Sequence, residues 1–114
     1  MIEITKFQAE DIFVLNVIGD VDASSSIELD SSISNSLEEG HRKILVDCKS
    51  LNYISSAGLG VFMSYIEEFE SRKITLVLCN MNDKVLSVFE ILGLDQLLKL
   101  TGNKDQAKEF LNEL

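Results

Sequence analysis

Two adjacent hydroxyl groups, Ser55 and Ser56, lie in the stretch YISSAGLG at residues 53–60. An apolar strand pattern ends here and a helical pattern begins, which places Ser56 at or near the N-cap of a helix. There its Oγ can accept a hydrogen bond from an unpaired backbone N–H group, a purely structural role. A phosphoryl group is also tolerated there, because free N–H groups and the helix dipole accept negative charge. Ser56 is therefore a candidate both for capping and for phosphorylation.

The residue types around Ser56 argue against catalysis by this chain. A nucleophile elbow needs the pattern G-x-S-x-G, which SSAGLG does not supply, and a serine triad needs a histidine. The single histidine, His41, follows a predicted helix end at Gly40, where we expect an exposed loop side chain. The chain has no Gly-Lys-Ser/Thr phosphate loop and no clustered metal ligands. We therefore expect no enzyme, no cofactor and no metal site, and a hydrolase using Ser56 is disfavoured because it lacks a base.

The charge of the chain narrows the classes of partner. Its 114 residues include 19 acidic and 10 basic side chains, for a formal net charge of −9. Such a charge repels phosphate backbones and anionic lipid headgroups, so we expect neither nucleic acid nor a membrane surface as a partner. No apolar run approaches the roughly 20 residues that span a bilayer, and Ile-Glu-Ile follows Met1 where a secretion signal would have basic residues. We expect a cytoplasmic protein without membrane insertion, and one domain over residues 1–114.

The two cysteines are predicted to be buried thiols. Cys48 and Cys79 lie 31 positions apart, each at the end of an apolar strand-like segment, KILVDC and ITLVLC. No C-x-x-C motif and no histidine cluster accompanies them. Reduced core residues are favoured over redox or metal roles for this reason.

The hydrophobic pattern predicts alternating strands and helices. Strands are expected at the N-terminus, then over IFVLNVIG, KILVDC, ITLVLC and a short segment near Leu97 to Leu100. About four helices are expected. The first begins with a capping box of Ser25 and Glu28, and the second runs from near Leu59 to Arg72-Lys73. The third begins at Asn82, and the last has Ala107, Phe110, Leu111 and Leu114 facing inward. The fold class is thus α/β, a mixed, mostly parallel sheet with an antiparallel N-terminal hairpin at its edge.

Two polar loops are expected at one end of this sheet. They are Gly19 to Ser26 after the second strand and Asn52 to Gly60 after the third. Ligands and partners commonly meet α/β sheets at the carboxyl ends of the parallel strands, where helix N-termini converge. Gly58 and Gly60 are expected to leave the backbone there uncovered, so that a partner surface can come close.

The segments KILVDCKSLN and YISSAGLGVF together resemble the signature of STAS domains, in particular the bacterial anti-sigma factor antagonists. GDVDASS at residues 19–25 resembles the second hallmark of that family, and LSVFEILGLDQLLKL resembles its third helix and last strand. The similarity spans essentially the whole chain. It implies a single STAS-like domain.

The resemblance also implies a partner-switching role. An unmodified antagonist of this kind binds an anti-sigma factor with serine-kinase activity and so frees a sigma factor. Phosphorylation by that kinase breaks the contact, and a PP2C-type phosphatase restores it.

The family pattern Asp-Ser-Ser/Thr-Gly-Leu-Gly assigns roles to individual residues. Ser56 occupies the position of the phosphoacceptor, Ala57 that of the second hydroxyl residue, and Ser55 that of the usual aspartate. Asp22 takes the place of the loop aspartate near the kinase interface. The expected partner-binding residues are Asp22, Ser24, Ser25, Ser55, Ser56, Ala57, Gly58, Leu59 and Gly60.

The serine at position 55 is a departure from this pattern that leaves a second function open. STAS domains with altered loops also serve as constitutive accessory subunits of transport systems, for example of the lipid-trafficking type, or of signalling assemblies. In that reading the chain binds its partner without being phosphorylated.

Overall fold

An antiparallel hairpin forms one edge of the sheet in the computed structural model, which describes residues 2–114. Strand β1 (Ile2–Ala9) pairs with β2 (Ile12–Val21) along its full length, as the sequence predicts. Glu10 of the two-residue turn has a φ of 59°, a conformation that a hairpin of this length requires. Strand β2 continues past Gly19 to Val21, further than its apolar run indicated.

The rest of the sheet is parallel, so the predicted fold class is confirmed. Strands β3 (Lys43–Asp47), β5 (Thr75–Cys79) and β6 (Lys99–Thr101) follow β2 in the spatial order β1-β2-β3-β5-β6. The central strands β3 and β5 are buried over their apolar residues. Continuous apolar runs are typical of strands that are covered on both faces.

Strand β4 (Leu51–Ile54) was assigned to a loop from the sequence, and that prediction was wrong. The pairing of β2 with β3 ends at Asn16 and Asp47, and β2 then pairs in parallel with β4 from Gly19 onward. Strand β4 therefore occupies the position beside β2 that β3 leaves. Its sequence, LNYI, carries no strong strand signal, because only the first and last side chains are buried.

The four predicted helical regions are present, and one of them is broken. They comprise α1 (Ser26–Glu38), α2 (Ser56–Ser64) with α3 (Ile66–Ser71), α4 (Asp83–Ile91) and α5 (Lys104–Asn112), with one 3₁₀ turn at Leu94–Gln96. The helix predicted from Leu59 onward begins three residues earlier and divides at Tyr65. The Tyr65 hydroxyl donates a hydrogen bond of 2.6 Å to Asp30 Oδ1 of α1, which ties this break to the neighbouring helix.

The sheet separates two layers of apolar side chains. Alternate residues of the strands pack against α1 to α4 on one face, and the intervening residues pack against α5 on the other. Ala107 and Leu111 of α5 are fully buried in the second layer, as expected. Leu114, which was expected to face inward, is more than half exposed instead, and so is Leu92 at the end of α4. Met63 of α2 fits a helical core pattern but is half exposed.

Three polar side chains pack into the fold. Ser26 and Ser36 of α1 are buried, and each hydroxyl donates a hydrogen bond of 2.8 Å to a backbone carbonyl. His41 is not an exposed loop residue, because its ring stacks on Phe13 with 3.8 Å between the ring centroids. Its Nε2 lies 3.3 Å from a carboxylate oxygen of Glu39.

Both cysteines are buried, as predicted. Cys48 packs in the layer of α1 to α4 and Cys79 in the layer of α5, so the sheet lies between the two thiols. Burial raises the pKa of the Cys48 thiol far above its ordinary value. Burial, with a smaller contribution from the charge of Asp47, raises the pKa of Cys79 to about 11.

We expect neither thiol of the folded protein to react with a thiol-specific reagent such as DTNB at about pH 8. A raised pKa leaves the thiol protonated at that pH, and burial blocks access of the reagent. Reaction should begin only when denaturant unfolds the chain, and both thiols should then react. Fast reaction of either cysteine in the native protein would indicate a redox role and contradict this assignment.

Candidate functional site

The junction between β4 and α2 is built around Ser55. This residue has extended backbone angles, φ −85° and ψ 171°, and its Oγ accepts a hydrogen bond of 3.3 Å from the N–H of Gly58. Ser55 is therefore the N-cap of α2, and the sequence-based placement of Ser56 at or near this position is corrected by one residue. A serine here keeps the capping hydrogen bond that an aspartate would make, without the negative charge.

Ser56 is the first residue of α2, and its side chain is exposed to solvent. Because Ser55 supplies the capping hydrogen bond, the hydroxyl of Ser56 is not needed for this role. The first turn of α2 contains no acidic residue. A negative charge added at Ser56 would thus meet unpaired N–H groups and the positive end of the helix dipole, with no carboxylate in that turn to repel it.

The loop between β2 and α1 is organised by the carboxylate of Asp22. Its Oδ1 accepts hydrogen bonds from the backbone N–H groups of Ser24 and Ser25, at 3.0 and 2.9 Å. The hydroxyl of Ser24 donates to the same atom at 2.9 Å. Among the hydrogen bonds found within residues 2–114, those of the Asp22 side chain all use Oδ1. The second carboxylate oxygen of this half-buried residue is therefore available to a partner.

The predicted capping box of Ser25 and Glu28 does not form. Ser25 is the N-cap residue, but its side chain makes no capping hydrogen bond to α1. Its Oγ instead accepts a hydrogen bond of 2.8 Å from the N–H of Asp22 and lies 3.0 Å from the carbonyl oxygen of Asp20. The hydroxyl turns back into the loop because Asp20 and Asp22 offer partners there. Tertiary context of this kind overrides a local capping motif.

The two polar loops lie side by side, as the sequence predicts. Val21 pairs with Ile54 in the last register position of β2 and β4. The next residue, Ser55, donates its backbone N–H to the carbonyl oxygen of Val21 at 2.7 Å. The cap of α2 is therefore held directly against the start of the Asp22 loop.

A model of the STAS domain family matches residues 3–107. The chain belongs to the STAS domain family. Among its curated relatives, the anti-sigma-B factor antagonist of Staphylococcus aureus strain NCTC 8325 is 27% identical over 86 residues, covering 75% of this chain and 80% of the relative.

Two solved structures share the fold of this STAS domain. An anti-sigma factor antagonist from Mycobacterium paratuberculosis superposes with a TM-score of 0.90 at 16% identity, covering 98% of this chain and 95% of that one. The Bacillus cell fate determinant SpoIIAA in its phosphorylated form has a TM-score of 0.70 at 18% identity, covering 97% of this chain and 99% of that one. At these identities the likeness shows the fold.

Not all of the predicted partner-binding residues of this STAS domain reach its surface. Ser24, Ser56, Ala57 and Gly60 are exposed, and Asp22 and Ser55 are partly exposed. Gly58, Leu59 and Ser25 are buried, so they shape the loops rather than meet a partner directly. The expectation that Gly58 leaves the backbone uncovered is wrong, and only Gly60 faces open space.

Three apolar side chains in α1, β4 and α2 of this STAS domain are exposed. Ile27 lies in the first turn of α1, Tyr53 precedes Ser55 by two residues, and Met63 lies in α2. They are 70%, 51% and 50% exposed, respectively. Apolar side chains at the rim of a polar loop are common contact points for protein partners. The signal in the sequence was weak, since Met63 fits a helical core pattern equally well.

Neither a metal site nor a membrane-spanning helix is found in the part of this STAS domain that the structure describes. Residues 2–114 contain no group of three or more His, Cys, Asp or Glu side chains that could hold a metal ion. None of the helices described within that range is long and apolar enough to cross a membrane.

We expect Gly58→Ala to destabilise this STAS domain. A Cβ at Gly58 would lie 2.6 Å from Val21 Cγ1 and 2.8 Å from Ile54 Cγ1, so the start of α2 has to move away from the sheet. Overpacking of this kind costs about 1–3 kcal/mol of the free energy of unfolding. Urea denaturation monitored by circular dichroism measures the loss.

Gly60→Ala is the matched control for this change. A Cβ at Gly60 meets no atom within 4 Å, and the residue lies in the same helix. Because alanine is the better helix former, we expect a gain of about 0.5–1 kcal/mol. Equal effects of the two substitutions would show that the close contact at Gly58 does not position α2.

The Asp22 loop should show a titration at low pH. The hydrogen bonds from Ser25 and Ser24 lower the pKa of Asp22 to about 2, from an ordinary value of 3.8. Because the folded-state pKa is the lower one, the carboxylate stabilises the loop above about pH 4, and this contribution is lost as the pH falls towards 2. Amide resonances of Ser24 and Ser25, followed by NMR, should shift with a midpoint near pH 2.

Asp22→Asn provides the control for this titration. The amide oxygen still accepts hydrogen bonds but does not ionise in this range, so the loop should remain ordered and the shift near pH 2 should disappear. Asp22→Ala should lose both the order and the titration. A wild-type midpoint close to 4 would show that the carboxylate is not held by the loop.

Proposed function

We propose that this STAS domain is an anti-sigma factor antagonist that changes partners when Ser56 is phosphorylated. The observation that carries the proposal is the division of roles between two serines, with Ser55 capping α2 and Ser56 left exposed at its first position. A phosphoryl group on Ser56 therefore replaces no capping hydrogen bond. The name of the Staphylococcus aureus relative and the phosphorylated form of SpoIIAA support the same function.

In the unmodified state the partner would be an anti-sigma factor with serine-kinase activity. The proposed contact surface consists of two adjacent segments, 19–26 from the end of β2 to the start of α1 and 53–60 from the end of β4 into α2, and the exposed side of α2. The free carboxylate oxygen of Asp22 and the hydroxyls of Ser24 and Ser56 offer polar contacts, and Ile27, Tyr53 and Met63 offer apolar ones. Gly60 allows the partner's surface to approach the helix closely because no side chain covers it.

Phosphorylation at Ser56 would break this contact by a local electrostatic effect. It takes the formal net charge from −9 to about −11 at neutral pH. At a solvated helix N-terminus the added charge is tolerated, because water and free N–H groups surround it. Inside a close-packed interface it loses this hydration, at a cost of several kcal/mol unless the partner supplies a matching cation.

Removal of the phosphoryl group from Ser56 would need a phosphatase. The resemblance to anti-sigma factor antagonists implies a phosphatase of the PP2C type. The exposed first turn of α2 leaves a phosphoserine there open to a second enzyme once the kinase has dissociated. The cycle uses ATP and acts on a sigma factor, which places the proposed function in the cytoplasm. This chain itself would be a target of the two enzymes rather than an enzyme.

Ser56→Ala and Ser56→Asp test the proposal directly. Both variants should fold with melting temperatures close to that of the wild type, because the cap belongs to Ser55. We expect Ser56→Ala to bind the kinase and to resist phosphorylation. Ser56→Asp should bind the kinase about 100-fold more weakly, which corresponds to about 2.8 kcal/mol of binding free energy because each ~1.4 kcal/mol is a factor of ten. Calorimetry measures the affinities, and mass spectrometry after incubation with kinase and ATP locates the label.

Ser71→Asp serves as the control for the added charge. It places a carboxylate at an exposed position at the end of α3, away from both loops. This variant should bind the kinase as the wild type does. Tight binding by Ser56→Asp, or a label on Ser55 instead of Ser56, would contradict the switch and favour a constitutive accessory subunit of a transport assembly.

A further inference from the structure

A basic recess lies at the end of the sheet opposite to Ser56. It has a volume of about 380 Å³ and is formed where the chain leads into β3 and β5. Small-ligand sites commonly begin at about 300 Å³, so this recess suits a compact ligand. Its walls are formed by residues 40–42 and 71–74.

The same three residues occur at the start of both strands. Arg-Lys-Ile occurs at residues 42–44, leading into β3, and again at 72–74, leading into β5. The two strands are parallel neighbours, and the N–H of Thr75 donates a hydrogen bond of 2.8 Å to the carbonyl oxygen of Arg42. Parallel pairing therefore brings the two basic segments together. The only two arginines and the only histidine of the chain all line this recess.

Of these cations, only Arg72 donates a side-chain hydrogen bond to the end of a helix. Arg72 donates from Nη2 to the carbonyl oxygen of Leu37 at the end of α1, at 3.3 Å, and its Nη1 pairs with Glu68 at 2.7 Å. Both members of that ion pair are more than 40% exposed, so the pair is weak and can exchange. Arg42 and Lys73 are exposed and have no side-chain hydrogen bond or ion pair to any of residues 2–114.

The recess is thus a local reversal of charge in a protein of net charge −9. Unpaired cations held together in a concave site attract an anion that offers several oxygens. The planar guanidinium group of arginine matches phosphate oxygens in particular, through two parallel hydrogen bonds. Glu39 and Glu68 are the carboxylates that pair with cations of the recess. They compete with a bound anion and so lower the affinity of the recess for it, and removing one of them tests the site.

From this arrangement we infer that the recess binds a soluble anion with two or more phosphate groups, held by Arg42, Arg72 and Lys73. A free anion is favoured over a lipid headgroup because the net charge of −9 on the whole chain repels an extended anionic membrane surface. The site lies at the amino ends of β3 and β5, whereas the Ser56 loop follows the carboxyl end of β4. Ligand binding here does not depend on the proposed partner switch.

Titration of the ¹⁵N-labelled protein with pyrophosphate tests the inference. We expect saturable shifts of the amide resonances of residues 40–42 and 72–74, and weaker binding of orthophosphate at the same amides. Arg42→Gln should lower the affinity for pyrophosphate about tenfold, since it removes charge-assisted hydrogen bonds. Glu68→Gln should raise the affinity about two- to fivefold, because it releases Arg72 from a competing carboxylate.

Lys49→Gln provides the matched control. It removes the same charge from an exposed position just beyond the opposite end of β3, so the affinity should change less than about twofold. Arg42→Gln keeps the inference testable even if Arg72 variants lose the contact to α1, because the Arg42 side chain supports no other element. Unsaturable shifts, or equal losses in Arg42→Gln and Lys49→Gln, would show only general screening and overturn the site.

Co-sedimentation with vesicles that contain phosphatidic acid separates the two sources of phosphate. We expect the protein to stay in the supernatant. Sedimentation that disappears in Arg42→Gln would identify a lipid headgroup as the ligand and overturn the assignment to a soluble anion.

Discussion

The close contact between Gly58 and the ends of β2 and β4 determines where the functional surface forms. No Cβ fits between this backbone and the side chains of Val21 and Ile54, so the first turn of α2 rests directly on the sheet. That contact, with the hydrogen bond from Ser55 to Val21, leaves α2 little freedom in its starting point. Ser56, the first residue of α2, is exposed to solvent beside this contact. The glycine acts inside the fold rather than as an opening for a partner.

The two serines of the SSAG stretch illustrate how a proposed modification site can be separated from a structural one. If a single hydroxyl both capped the helix and accepted the phosphoryl group, modification would remove the capping bond at the moment of switching. Here the cap acts through Ser55, so the proposed modification of Ser56 would change the charge of the surface but not its backbone support. The serine that replaces the usual aspartate keeps the hydrogen bond and lowers the negative charge near the acceptor.

Charge is distributed unevenly along the axis of the sheet. The loops after β2 and β4 carry an ordered carboxylate and several hydroxyls, whereas the segments that lead into β3 and β5 carry the clustered cations of the basic recess. The hydrogen bonds from Ser25 and Ser24 lower the pKa of Asp22 to about 2, so its carboxylate stays ionised even in mildly acidic solution. The two ends of the domain therefore present different chemistry to solvent, with the ordered carboxylate at one end and the clustered cations at the other.

Much of the fold was predictable from the sequence alone, because local signals were strong there. Continuous apolar runs identified β3 and β5, and the side chain of Asn82 caps α4 as expected. The family motifs at residues 19–25 and 53–60 contain the two strand-to-helix junctions, although the second motif begins within β4 rather than in a loop. The sequence also identified the adjacent serines as the candidate site. In each case a few neighbouring residues determine the structure, through burial on both faces, a side-chain cap or a glycine stop.

Tertiary structure decided the remaining features. Strand β4 forms because β2 extends beyond its pairing with β3 and leaves a free edge there. The local sequence LNYI does not show that such an edge is available. Ser25 turns away from α1 because Asp20 and Asp22 come close, and Gly58 and Leu59 are buried because α2 packs flat on the sheet. The sequence by itself determined which residues could form the site, since motifs and periodicity are local. Which of them face a partner depended on contacts between segments about 30 residues apart, which no local pattern encodes.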